Sequence, residues 1–312
     1  MVHLRYGIYV VILAGFIAGS CTGNSGRTKT KTSKEFSLPV IPAMMDDPQQ
    51  QVNYLAEHYW NNFDFNDTSF IHQPKVTEMI FTEYLKILMQ ATASATASSI
   101  RHTLEQALEN PQAFTFFTDL LEKYLYNPNS PLRNEEIYSI ALEYILAAPQ
   151  VDELKKVRSR YQLEQLSKNR VGKVAVDFVY TLANGKQGRM HHLKSDYLVL
   201  FFNNPDCAAC KDIQHAFEQS PVMSQMQKTG ALKILAIYVD QDTEAWQQYQ
   251  TNIPKQWING YDASYIILGE DLYDLRAIPS LYLLDKDKRV VLRDVQHEHL
   301  EQYLSRTTQD AG

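Results

Sequence analysis

Tyr197-Leu-Val-Leu-Phe-Phe202, Asn203-Asn-Pro-Asp206 and Cys207-Ala-Ala-Cys210 form the stretch on which the fold turns. The unbroken apolar run reads as a strand buried on both faces, too short for an ordinary helix. A helix is expected next, over residues 207–220, with Ile213, Ala216 and Phe217 on one face. At i and i+3 on its first turn, the two sulfurs lie on neighbouring faces and can close a small ring. Cys207, at the helix mouth, meets unpaired backbone N–H groups and the positive end of the helix dipole. Both favour a thiolate. Cys210, one turn further in, is expected to be more buried. Cys207 is therefore the candidate nucleophile and Cys210 the candidate resolving thiol.

Outward from this stretch the pattern stays strand and helix. Residues 174–180 read as a strand, Asn184-Gly185 as a hairpin turn, and 232–239 as a second core strand. Residues 243–251 read as a helix. Residues 281–284 and 290–292, joined by the charged turn 285–288, read as a closing hairpin, and 297–305 as a last helix. Parallel strands joined by helices, then an antiparallel hairpin, predict an α/β sandwich over 171–306, with 307–312 a tail.

Residues 39–170 carry the helical period instead, and an all-α domain of five or six helices is expected there. Val52, Leu55, Tyr59 and Phe63 share one face; Phe114, Phe117, Leu120 and Leu121 share another; Ile137, Ile140 and Ala141 a third. Asn110-Pro111, Asn127-Pro128 and Pro149 mark boundaries, and Ser130-Pro131 ahead of Glu135 and Glu136 reads as a helix start. The aromatic stripes read as core, and the charged residues 152–160 as a solvated helix face.

At 312 residues and 45% hydrophobic, the chain has material for two domains. A net charge of −6, with no basic stretch interleaved with aromatics, disfavours nucleic-acid binding. Residues 1–21 combine Arg5, an apolar core over 8–17 and small residues before Cys21, a secretory-signal pattern. Their end resembles the bacterial lipobox, which makes Cys21 the expected lipidation site. Residues 22–38 read as a flexible tether; a coil of this length spans roughly 20–25 Å. The expected location is the cell envelope or periplasm, anchored to a membrane through that lipid. With Cys21 lipidated, Cys207 and Cys210 are the only free thiols, a redox pair rather than a disulfide framework.

Strand, Cys-x-x-Cys at a helix start, and Ile278-Pro279 just before a late strand together resemble the thioredoxin superfamily. Gly172-Lys-Val-Ala-Val-Asp-Phe178 and Asn184-Gly-Lys186 resemble the opening of its membrane-anchored, TlpA-like thiol–disulfide oxidoreductase branch. Residues 127–138 resemble an uncharacterised helical domain that precedes such modules in bacterial lipoproteins. The resemblance implies a cis Pro279 beside the active disulfide and an Ile278 backbone that hydrogen-bonds an incoming peptide. It also implies exchange with envelope proteins bearing thiols or disulfides, electrons from a membrane redox partner, and no cofactor beyond the Cys207–Cys210 disulfide. Ala208 and Ala209 offer the thiolate no side-chain donor, so the couple is expected nearer the reducing members than the oxidising ones. Asp206 stands where the family has tryptophan, and Phe201 where thioredoxins bury an acid.

Two other functions stay open. A peroxiredoxin-like peroxidase shares the strand opening, but Asn204 stands where its threonine belongs. A non-catalytic lipoprotein binding module would use the helical domain to hold a partner and leave the disulfide idle. Zinc is not expected: the Cys pair needs two further ligands at suitable spacing, and His191-His192 and His297-x-His299 are available but isolated in the sequence, reading as solvated histidines. Tyr273, Asp274 and Arg276, ahead of the proline loop, receive no role.

Overall fold

The run at 197–202 becomes a strand that is buried on both faces, as its unbroken apolar character requires. Alternate residues diverge: Val199 and Phe201 enter one core, Leu198, Leu200 and Phe202 the other. The computed structural model describes residues 36–310. The signal-like segment, Cys21 and nearly all of the tether lie outside them.

Among the described residues six helices come first: α1 (Pro48–His58), α2 (Pro74–Leu88), α3 (Ala93–Ala107), α4 (Pro111–Leu121), α5 (Glu135–Ala147) and α6 (Glu153–Ser167). Side-chain caps start most of them. Asp47, Thr92, Asn110, Asn134 and Asp152 each accept a backbone N–H of the first turn. The fifth helix begins at Glu135 rather than beside Ser130-Pro131. Asn134 caps it through Ile137 N–H, while its own N–H donates to the Leu125 carbonyl and closes the intervening loop. Between α4 and that loop, Glu122–Tyr126 forms one π-helical turn. The core of this layer is aromatic, with Trp60, Phe65, Phe81, Tyr84 and Phe117 all buried.

The α/β part contains β1 (Val179–Leu182), β2 (Gln187–Arg189), β3 (Tyr197–Asn203), α7 (Ala208–Gln219), α8 (Pro221–Thr229) and β4 (Leu232–Tyr238). It continues with α9 (Thr243–Tyr249), β5 (Ile258–Tyr261), α10 (Ile266–Gly269), β6 (Ser280–Asp285), β7 (Val290–Arg293) and α11 (His297–Asp310). The sheet order is β2-β1-β5-β4-β3-β6-β7. β3 pairs parallel with β4 and antiparallel with β6, so the strand leading to the cysteines lies beside the strand that follows Pro279. An all-α layer followed by a mixed α/β sandwich is the expected fold class.

Three details depart from expectation. Residues 174–178 make a single bridge, Val174 to Arg289, and the strand proper starts at Val179. β5 is a strand despite Asn259-Gly260, because the Tyr180 ring lies over Gly260: a Cβ there would stand 2.9 Å from it. Gly188, the partner of Tyr180 on β2, is overlain by the same ring. Lastly, α11 continues past Ser305 to Asp310.

Among the described residues, 38–310 form one compact unit. The helical layer and the sandwich meet through polar side chains. Asn169 Nδ2 donates to the Leu272 carbonyl at 2.8 Å and Lys168 Nζ to that of Asp271 at 3.0 Å. Arg293 donates to the carbonyls of Leu166 and Gln165.

Candidate exchange site

β3 ends at Asn203, and Asn204 shapes the loop to the helix. Its side-chain oxygen accepts Asp206 N–H at 3.3 Å, and its carbonyl accepts Cys207 N–H at 3.1 Å. Cys207 is thereby set as the N-cap of α7, with extended backbone angles and its sulfur 3.0 Å from Cys210 N as an acceptor. A sulfur so placed is stabilised as a thiolate by the orphan N–H groups of the first turn. Cys207 and Cys210 are joined as a disulfide, with Cα atoms 5.2 Å apart.

The two thiols have different surroundings. Cys210 is 2% exposed, within the core that holds Phe201, Phe217 and Trp257. Phe201 carries no charge into this core, and its ring packs 6.0 Å from Trp257 and 6.3 Å from Phe217. Cys207 is half-buried and flanked by exposed Asp206, Ala208 and Ala209. Access therefore falls on Cys207.

Across the site, the Ile278–Pro279 peptide is cis, and the Ile278 carbonyl oxygen lies 3.8 Å from Cys207 Sγ. Both residues are half-buried. They line a groove of about 920 Å³ that reaches from Ala209 and Ile213 on α7 to the start of α11 on one side and residues 128–136 of the helical layer on the other. Cys207, Cys210, Ile278 and Pro279 thus come together; Cys21 lies outside the described residues. Among the described residues no three His, Cys, Asp or Glu side chains gather as metal ligands. His191 is held instead by a 2.8 Å contact between its Nε2 and the Ala175 carbonyl. No helix of the described residues is long and apolar enough to cross a membrane.

Tyr273, Asp274 and Arg276 are occupied in packing and charge pairing. Tyr273 is buried, its hydroxyl donating to the Val176 carbonyl at 2.6 Å. Asp274, 3% exposed at its side chain, receives two hydrogen bonds from Arg276, at 2.7 and 2.6 Å. Burial alone would lower the Arg276 pKa, but the Asp274 carboxylate and Glu135 outweigh it, so the guanidinium stays charged. The same guanidinium lies 3.5 Å over the Tyr126 ring. Burial pushes the Tyr126 phenol up to about 12, with Arg276 opposing. Sequence reading missed the contacts of Arg276 with Glu135 and Tyr126 because those partners lie in the other layer.

The family model described as a domain of unknown function, DUF5106, matches residues 19–169. A crystal structure of a thioredoxin-like protein from Bacteroides caccae is 44% identical, with a TM-score of 0.84, and the match covers 88% of this chain and 99% of that one. A thiol-disulfide oxidoreductase, ResA, of Bacillus thuringiensis is 26% identical over 147 residues, 45% of this chain and 80% of its own.

Proposed function

This chain belongs to the thioredoxin-like proteins, and from that membership we propose that it is a thiol–disulfide oxidoreductase acting through Cys207 and Cys210. The observation that carries the reading is the asymmetry of the pair. One sulfur is accessible, capped by backbone N–H and faced by the Ile278 carbonyl; the other is enclosed in apolar core one turn behind.

The reaction balances as two exchanges. The Cys207 thiolate attacks a substrate disulfide, forming a mixed disulfide and releasing one substrate thiolate. The Cys210 thiolate then attacks the Cys207 sulfur, releasing the second substrate thiol and leaving the Cys207–Cys210 disulfide. Two electrons pass to the substrate, and a dithiol donor returns the protein to its reduced form. We place the reducing direction first, because Ala208 and Ala209 provide no side-chain hydrogen bond to stabilise the reduced thiolate beyond what the helix supplies. The substrates are envelope proteins, the electrons come from a membrane redox partner, and lipid on Cys21 holds the chain at a membrane outside the cytoplasm. The signal-like pattern of residues 1–21 supports that location.

The test is Cys210→Ser expressed in the native cell. Without the resolving thiol, mixed disulfides through Cys207 should accumulate and be identifiable by mass spectrometry on non-reduced samples. No adducts on Cys207 would favour the reading in which the helical layer holds a partner and the disulfide is idle.

A further inference from the structure

We infer that Arg133 and Glu135, on the helical layer, are positioning residues of the exchange site that hold the Ile278–Pro279 loop from both sides; the inference rests on the exchange reading above. The loop is bracketed by Arg276, two residues before Ile278, and Ser280, directly after Pro279. Both brackets lead to the helical layer. On the first side, Arg276 donates to Glu135 Oε1 at 2.8 Å and also to the Tyr126 carbonyl. That carbonyl lies on the single π turn at the end of α4, a local departure from helix geometry of a kind often found where a helix serves a site. On the second side, Ser280 Oγ donates to Asp294 Oδ1 at 2.7 Å, and Asp294 Oδ2 pairs with Arg133 at 2.7 Å.

The two sides are one connected cluster. Arg133 donates to Glu135 Oε1 at 2.9 Å, and Arg293 reaches Glu135 Oε2 at 3.3 Å and Asp274 Oδ2 at 3.4 Å. Three guanidinium groups face three carboxylates, so the cluster is neutral as a whole. Side-chain exposures of 15% for Glu135 and 17% for Arg133 keep water from loosening it. Glu135 is the shared member, in contact with all three arginines.

None of these groups touches the sulfurs. They act on the loop whose Ile278 carbonyl lies beside Cys207, and Arg133 through Glu136 also form the far wall of the groove at that loop. A substrate peptide laid along the loop feels their loss; a small disulfide that reaches Cys207 without using the groove does not. Glu135→Gln keeps the side-chain shape while removing the charge that joins the arginines.

The experiment measures exchange by the purified chain with a disulfide-linked peptide and with hydroxyethyl disulfide. For Glu135→Gln the peptide KM should rise about tenfold with kcat held, the mark of lost uniform binding, while kcat/KM for hydroxyethyl disulfide stays within about twofold. Should this variant unfold below the assay temperature, Glu135→Asp, which keeps a shorter carboxylate, carries the same comparison with the same expected split. Equal losses on both substrates, or an unmoved peptide KM, would overturn the assignment. If the unmutated chain exchanges neither substrate, the exchange reading itself falls.

Discussion

Cys207→Ser should reduce disulfide exchange to the uncatalysed background while leaving the fold intact. Serine is close to cysteine in size, and position 207 caps α7 by accepting a backbone N–H, which a hydroxyl oxygen also does. What serine cannot do is supply a thiolate at neutral pH. The variant should therefore keep the unfolding midpoint of the reduced chain, which like it lacks the Cys207–Cys210 bond, and lose turnover with both peptide and small disulfides. Exchange retained by Cys207→Ser would move the nucleophile elsewhere. Cys210→Ser should differ in kind, keeping the first attack and losing the second, and so stalling at the mixed disulfide.

Phe117→Ala should give the largest loss of stability in the helical layer. Phe117 is fully buried, with ring centroids 5.1 Å from Trp60 and Phe65 and 5.9 Å from Phe81. Truncation removes the transfer energy of the ring and leaves a cavity lined by stiff aromatic neighbours that close over it poorly. Such substitutions cost about 3–5 kcal/mol. Urea unfolding of the variant beside the unmutated chain measures this, and a loss under about 1 kcal/mol would mean that the cluster repacks. The consequence reaches the site, because α4 runs into the π turn that carries Tyr126, and Tyr126 supports Arg276.

The strands at 197–203, 232–238 and 280–285 were legible because burial on both faces leaves an unbroken apolar run. The cysteine pair was legible because its spacing and its place after such a run are local facts. β5 escaped because Gly260 breaks a strand pattern, and the reason for glycine there is the ring of Tyr180, a neighbour in space only. α8 escaped although Ser220-Pro221 carries a signal: Ser220 caps it and Pro221 opens it. Glu135 reads as an ordinary acid at a helix start, and Arg133 carries no sequence signal of its own. Their partners are distant in the chain, Arg276 141 residues from Glu135, and no periodicity encodes such a pairing. The two cysteines proposed for the chemistry lie three residues apart in sequence; the residues proposed to hold the opposing loop are contributed by two layers.

The most direct measurement is a redox titration of the purified chain in graded thiol–disulfide buffers, with alkylation and intact mass used to count free thiols on Cys207 and Cys210. Both thiols should appear together, as one two-electron couple, at a potential nearer the thioredoxin value of about −270 mV than the oxidising extreme of about −120 mV. A pair that stays oxidised until the chain unfolds, or thiols that appear one at a time, would contradict a disulfide built to open and close at the mouth of α7.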